Sequence, residues 1–237
     1  MVSSESVLLI VAADRRELAG LAGRLRRAAA AGLDVRWARA GWLGGRAAVL
    51  AAHGAGRSNA AQAVERVCAK VRVAAVVSAG MCGALDPALA PGQVVVAGQV
   101  LSLEPRAEFA ARTPRGTQAS GAVLTLDHVV QTVEEKSRLR ETSAAAVEME
   151  AAGVAAEAEK RGLPFYCIRV VSDGAGESFA LDYNRARRPD GRFSAARIMA
   201  QAGLNPSRWR EIQGWRRRMR LAAQALAEFF ERVEFEG

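Results

Sequence analysis

Residues 144–173 read AAAVEMEAAGVAAEAEKRGLPFYCIRVVSD, and this stretch decides the fold. An apolar approach ends in two carboxylates, Glu148 and Glu150, on either side of Met149. A run of small residues from Ala151 to Ala156 reads as a helix. The chain turns at Arg161-Gly162 and Pro164. It then runs through an apolar strand, Phe165 to Val171, that stops at Ser172-Asp173. One strand–helix–strand unit therefore places acidic groups at the end of one strand and an Asp at the end of the next. In parallel α/β sheets ligands bind outside the carboxyl ends of the strands, so these acidic positions are placed to face one cleft. On residue chemistry alone, Glu148 and Glu150 also fit carboxylates at a helix N-terminus, and Asp173 also fits a helix N-cap.

Upstream, Val7 to Ala13 (VLLIVAA) reads as a buried parallel strand. It leads through Asp14-Arg15-Arg16-Glu17 into a helix with apolar positions Leu18, Leu21, Leu25 and Ala28. Trp37 to Ala40 and Arg46 to Ala52 read as a strand pair. His53-Gly54-Ala55-Gly56-Arg57 opens a helix over about 60–70. Val73 to Ser78 is a strand ending in a turn, Ala79-Gly80-Met81-Cys82-Gly83. Gln93 to Leu101 is a strand, Ser102 to Ser120 a polar surface loop or partly disordered flap, and Ala122 to Leu126 another strand. A short helix starts at Glu134. After Asp173 a second polar stretch runs to Arg192, and helices follow over about 195–201 and 206–233. Strands alternating with helices, without a convincing linker, predict one α/β domain over residues 1–237 with a mixed, mainly parallel sheet.

Composition sets the outer bounds. The chain has 237 residues, half of them hydrophobic, enough for a sizeable core. No apolar run reaches the ~20 residues of a membrane span. The flanks of Val7 to Ala13 do not fit a secretory signal, so a cytoplasmic location is expected. Cys68, Cys82 and Cys167 have no metal-ligand spacing, and two histidines are few, so no metal is expected. The net charge of +8 favours an anionic partner or surface, although an Arg-rich, Ala-rich composition produces it too. No nucleic-acid motif is present, and no nucleic-acid partner is expected.

VEMEAAGVA followed by a strand ending in VVSD resembles the purine nucleoside phosphorylase superfamily, and is closest to the methylthioadenosine/S-adenosylhomocysteine nucleosidase type of sequence. The resemblance covers roughly Val7 to Asp173. It implies cleavage of the N-glycosidic bond of a purine nucleoside or a 5′-modified adenosine, by water more than by phosphate, with no cofactor beyond phosphate as a possible co-substrate. Ala13 to Leu18 is similar to the nucleosidase A-x-x-x-E-V/L opening, which implies that Glu17 activates the attacking water. Asp173 corresponds to the acid that assists departure of the base; burial at the end of an apolar strand is expected to raise its pKa. Glu150 corresponds to the group that holds the ribose hydroxyls, and Met149 lies along the ribose face.

AGMCG resembles the family turn beneath the ribose, with Gly80 kept and Met81 in place of a hydroxyl residue. Val129 falls where the family carries a base-stacking aromatic, and His128 beside it offers stacking or hydrogen bonding instead. For phosphorolysis, Arg57 and Arg15 are the candidate phosphate ligands. Family members form dimers or higher oligomers, which implies a homo-oligomer.

The segment after Asp173 is more similar to the hopanoid-associated phosphorylase-like branch, whose implied substrate is an adenosyl-lipid. In the last helix Trp209, Ile212, Trp215, Met219, Ala222, Leu226, Phe229 and Val233 form an apolar stripe. Arg208, Arg210, Arg216, Arg217, Arg218 and Arg220 surround it. That pattern fits a helix packed on the core, and also a peripheral membrane contact. A non-catalytic nucleoside-binding descendant of the fold is the reading from a different class.

Overall fold

The structure is a computed structural model and describes residues 6–236. Its centre is β1 (Val7–Ala12), six apolar residues, all buried. Successive side chains of a strand point to opposite faces, and β1 uses both. Val7, Leu9 and Val11 pack with the helices α2 (Arg57–Cys68) and α4 (Ala151–Lys160). Leu8, Ile10 and Ala12 pack with α1 (Ala19–Arg24) and α7 (Pro206–Arg232). The result is one α/β domain with helices on both faces of a mixed sheet.

β1 lies between β4 (Arg46–Ala52) and β5 (Val73–Ala84), parallel to both. β5 continues in parallel to β10 (Phe165–Asp173). β3 (Trp37–Leu43) and β2 (Arg26–Ala30) extend one edge as antiparallel strands. On the other side β10 pairs antiparallel with β6 (Val94–Leu103), β6 parallel with β8 (Gly121–Thr125), and β8 parallel with β9 (Ala144–Glu148). β9 then returns to β5 at Gly83 and Ala84, so five strands close into a ring. Closure brings the carboxyl ends of β5, β8, β9 and β10 together with that of β1.

The structure differs from three expectations. The first helix stops at Arg24, and the residues after Leu25 form β2, because their backbone groups pair with β3; Ala28 is exposed. The AGMCG segment is not a turn but the second half of β5, held straight by pairing with β10 and β9. The proposed flap over 102–120 contains β7 (Arg106–Ala110), which folds back on β6 as a hairpin. The polar stretch after Asp173 has structure of its own. It carries the short helix α5 (Tyr183–Ala186) and buries Leu181, Tyr183 and Ala186 against α6 (Ala195–Ala202) and the start of α7.

The α7 stripe packs on the core, against α1 and β10, through Ile212, Met219, Ala222, Ala223, Leu226, Ala227 and Phe230. Phe230 replaces Phe229 as the buried ring. The helices meet closely where small residues allow it. A Cβ at Gly20 would lie 2.2 Å from the Ala223 carbonyl oxygen, and one at Gly153 2.1 Å from that of Arg57.

Candidate active site

Glu17 sits in the turn between β1 and α1 and is buried. Its Oε2 accepts from the Asp14 amide at 3.0 Å and its Oε1 from the Met81 amide at 2.9 Å. Gly80, at φ 152°, makes room: a Cβ there would stand 2.8 Å from both Glu17 Oε1 and Arg169 Nη1. Burial raises the Glu17 pKa, against the lowering effect of the two amides and Arg169. A carboxylate deprived of water but still oriented is a stronger base than a solvated one.

The two glutamates of VEME have different jobs. Glu148 accepts from Thr125 Oγ1 at 2.5 Å and from the amides of Glu150 and Ala151 at 2.9 Å. It satisfies the orphan donors at the start of α4 and pairs with the fully buried Arg169. Glu148 is therefore the helix-terminal carboxylate. Glu150 accepts from the Gly56 amide at 2.9 Å and lies 3.8 Å from Arg169 Nη1. Its carboxyl is pushed up to about 8, first by burial and then by the Glu148 charge, with Arg169 opposing. Arg169 also donates to Ser78 Oγ at 2.6 Å. One guanidinium thus holds the carboxylates of β9 and its end in register.

Asp173 is buried as expected, but no helix follows it to cap. Instead Lys136, on α3 (Val133–Leu139), donates to its Oδ2 at 2.6 Å. The same ammonium donates to the carbonyls of Gly174 at 2.7 Å and Glu177 at 3.0 Å. Ser172 donates to Asp173 Oδ1.

Glu17, Glu150, Glu148 and Asp173 line one cavity of about 260 Å³, together with Met81, Met149, Val129 and His128. The structure thus brings together most of the residues singled out from the sequence. Gly80 lies behind Glu17. His128 stands at the edge, half-exposed, with Nε2 2.6 Å from Glu135 Oε1. Both backbone groups of Val129 are taken by Asn184, which accepts from its amide at 2.8 Å and donates to its carbonyl at 2.9 Å.

Arg57 and Arg15 do not line this cavity. The Arg57 guanidinium turns the other way, to Ser102 Oγ at 3.1 Å, the Glu104 carbonyl and Asp127 at 3.9 Å. Arg15 is exposed. A polar strand-to-helix turn suggested an anion site at Arg57; its guanidinium is engaged with β6 instead, and Arg187 donates to the Ala55 carbonyl of the same turn at 3.1 Å.

Beyond the carboxylates the cavity continues as an apolar arm walled by Phe179, Tyr183, Phe193, Ile198, Ile212 and Trp215. Arg16 sits over the Trp215 ring at 5.6 Å and ties α7 to the Glu17 turn. The sequence reading missed Arg169, Lys136 and this arm. A signal existed for Arg169: a charged residue inside the apolar strand FYCIRVVSD must meet buried carboxylates. Lys136, within a charged run, carried none.

Among the described residues no group of His, Cys, Asp or Glu is arranged to hold a metal ion. No described helix is long and apolar enough to cross a membrane.

The chain was compared with known proteins. It is 25% identical over 191 residues to the 5′-methylthioadenosine/S-adenosylhomocysteine nucleosidase of Shewanella piezotolerans, covering 68% of this chain and 83% of that one. Among solved structures it resembles the nucleosidase of that name from S. pneumoniae, with a TM-score of 0.70, 21% identity and coverage of 94% and 98%. It also resembles the futalosine hydrolase of Helicobacter pylori, with a TM-score of 0.67, 18% identity and coverage of 94% and 95%. The model of the phosphorylase superfamily matches residues 8–119 and 107–202. With that match spanning most of the sheet and the whole carboxylate site, the chain belongs to the phosphorylase superfamily.

Proposed function

We infer that the protein is a nucleosidase, an enzyme that breaks the N-glycosidic bond of a purine nucleoside or a 5′-modified adenosine with water. The observation that carries this reading is the convergence of Glu17, Glu150 and Asp173 on one cavity. Glu17, raised by burial, takes the proton of the attacking water. Glu150, against the Gly56 amide, binds the ribose hydroxyls, either as acceptor or, when protonated, as donor. Asp173 assists the base as it leaves. Glu17 lies within the cavity while Arg57 and Arg15, the candidate phosphate ligands, lie outside it, which favours water over phosphate. No cofactor takes part in these steps.

A second reading concerns the substrate's 5′ group. The apolar arm, open beyond the sugar end of the cavity, suits a long apolar substituent, as in an adenosyl-lipid. The exposed Met199 and Leu204 and the arginines of α7 would then face an anionic membrane surface. Base release from adenosine, inosine, methylthioadenosine, adenosylhomocysteine and a 5′-alkylthio-adenosine, each with and without phosphate, tests both readings. Phosphate-independent release supports hydrolysis, and a rise in kcat/KM with alkyl length supports the apolar arm. Absence of release from every substrate would favour a binding protein. Liposome co-sedimentation unchanged by neutralising the α7 arginines would remove the membrane contact.

A further inference from the structure

We propose that Lys136 positions Asp173 and supplies the proton that Asp173 passes to the departing base; this rests on the base-release reading above. Lys136 is fully buried and sits behind Asp173, outside the cavity lining. A buried ammonium is costly unless paired and hydrogen-bonded. This one is fully satisfied: Asp173 Oδ2 and the carbonyls of Gly174 and Glu177 take its three hydrogens, and the Phe179 ring lies 5.7 Å away.

The other charges around the pair are already engaged. Glu177 is held by Arg218 at 2.6 Å and by the Gly174 amide at 3.2 Å. Arg218 also donates to the Ser172 carbonyl at 3.0 Å. Glu135, on the same helix as Lys136, is turned to His128. Glu211 accepts from the amides of Ala180 and Leu181. Burial holds Cys82 and Tyr183 above their ordinary values, in their neutral forms.

As the C1′–N bond breaks, its electron pair goes onto the base. A proton passes from Lys136 Nζ to Asp173, and Asp173 delivers a proton to a base nitrogen. The carboxylate begins and ends ionised, and Lys136 ends as a neutral amine. Water bonds to C1′ and its proton goes to Glu17; after the products leave, Glu17 releases that proton to solvent, and Asp173, at the cavity wall, takes one from solvent and passes it back to Lys136. The sum is nucleoside and water to free base and sugar.

The test compares Lys136→Met and Lys136→Arg on a purine nucleoside and on a nitrophenyl riboside, whose leaving group departs without a proton. For Lys136→Met the expected result is a kcat lower by roughly 10²–10⁴-fold on the purine nucleoside at neutral pH. That loss recovers as the pH falls, and turnover of the nitrophenyl riboside stays near wild type. Lys136→Arg keeps the charge but not the transferable proton, so it is expected not to rescue purine turnover, and it decides the matter if the Met variant does not fold. Full activity of Lys136→Arg, or equal loss on both substrates in a folded variant, would overturn the proposal. Wild-type protein that turns over neither substrate would overturn the nucleosidase reading itself.

Discussion

The two ends of the cavity are built differently. The sugar end is made from the last residues of strands: Glu17 after β1, Met81 in β5, Glu148 to Glu150 after β9 and Asp173 ending β10. The carboxylates among them are buried: Arg169 pairs with Glu148 and Glu150, Lys136 with Asp173, and two backbone amides hold Glu17. The far end is made from α5, α6 and the start of α7, which contribute rings and aliphatic side chains that pack on one another. The difference teaches where change is tolerated. A charged network fails as a unit when one member is lost, whereas an apolar wall can be reshaped residue by residue. The carboxylates therefore belong to the sheet and the apolar wall to the helices.

Breaking the sugar end should have the largest effect. Glu17→Gln and Asp173→Asn are each expected to lower kcat by roughly 10²–10⁴-fold with the fold intact, measured as base release alongside thermal melting. Arg169→Met should leave Glu148 and Glu150 buried without their cation and cost about 3–5 kcal/mol of stability, read from denaturant unfolding. A loss below ~1 kcal/mol would show that the carboxylates do not depend on it.

At the far end the effects should be smaller and selective. Trp215→Leu is expected to lower kcat/KM for a substrate with a long apolar 5′ group by roughly 10–100-fold while leaving adenosine within a few-fold. Equal losses on both would mean that Trp215 shapes the sugar end as well. The smallest effect is a pH slope. Glu150, pushed up to about 8 in the folded protein, binds a proton that the unfolded chain has released. Stability from this group is complete at pH below ~4.5 and is lost as pH rises through about 8. The melting temperature of the ligand-free protein should therefore fall across that window, and Glu150→Gln should flatten the decline.

The same division explains what was legible in the sequence. Strand ends announce themselves, because an apolar run that stops at a carboxylate has few other interpretations. Glu150 and Asp173 were readable from their places at strand ends together with the family resemblance, and Glu17, beyond Asp14-Arg15-Arg16, through that resemblance alone. The hairpin of β7 and the strand β2 were not, since both are largely exposed and owe their form to pairing with β6 and β3. The apolar arm was hidden for another reason: Phe179, Leu181, Tyr183 and Phe193 are scattered through a segment of Gly, Asp and Arg with neither a helical nor a strand period. Arg57 misled in the opposite way, because its setting after HGAG suits an anion, and only the fold shows its guanidinium bound to the β6–β7 hairpin.

The central claim is hydrolysis at Glu17, and one measurement addresses it most directly: base release in phosphate-free buffer by the wild-type protein and by Glu17→Gln. The account predicts release by the wild type, unchanged when phosphate is added, and its near-complete loss in a folded Glu17→Gln variant. Release that requires phosphate, or that survives the substitution undiminished, would contradict it.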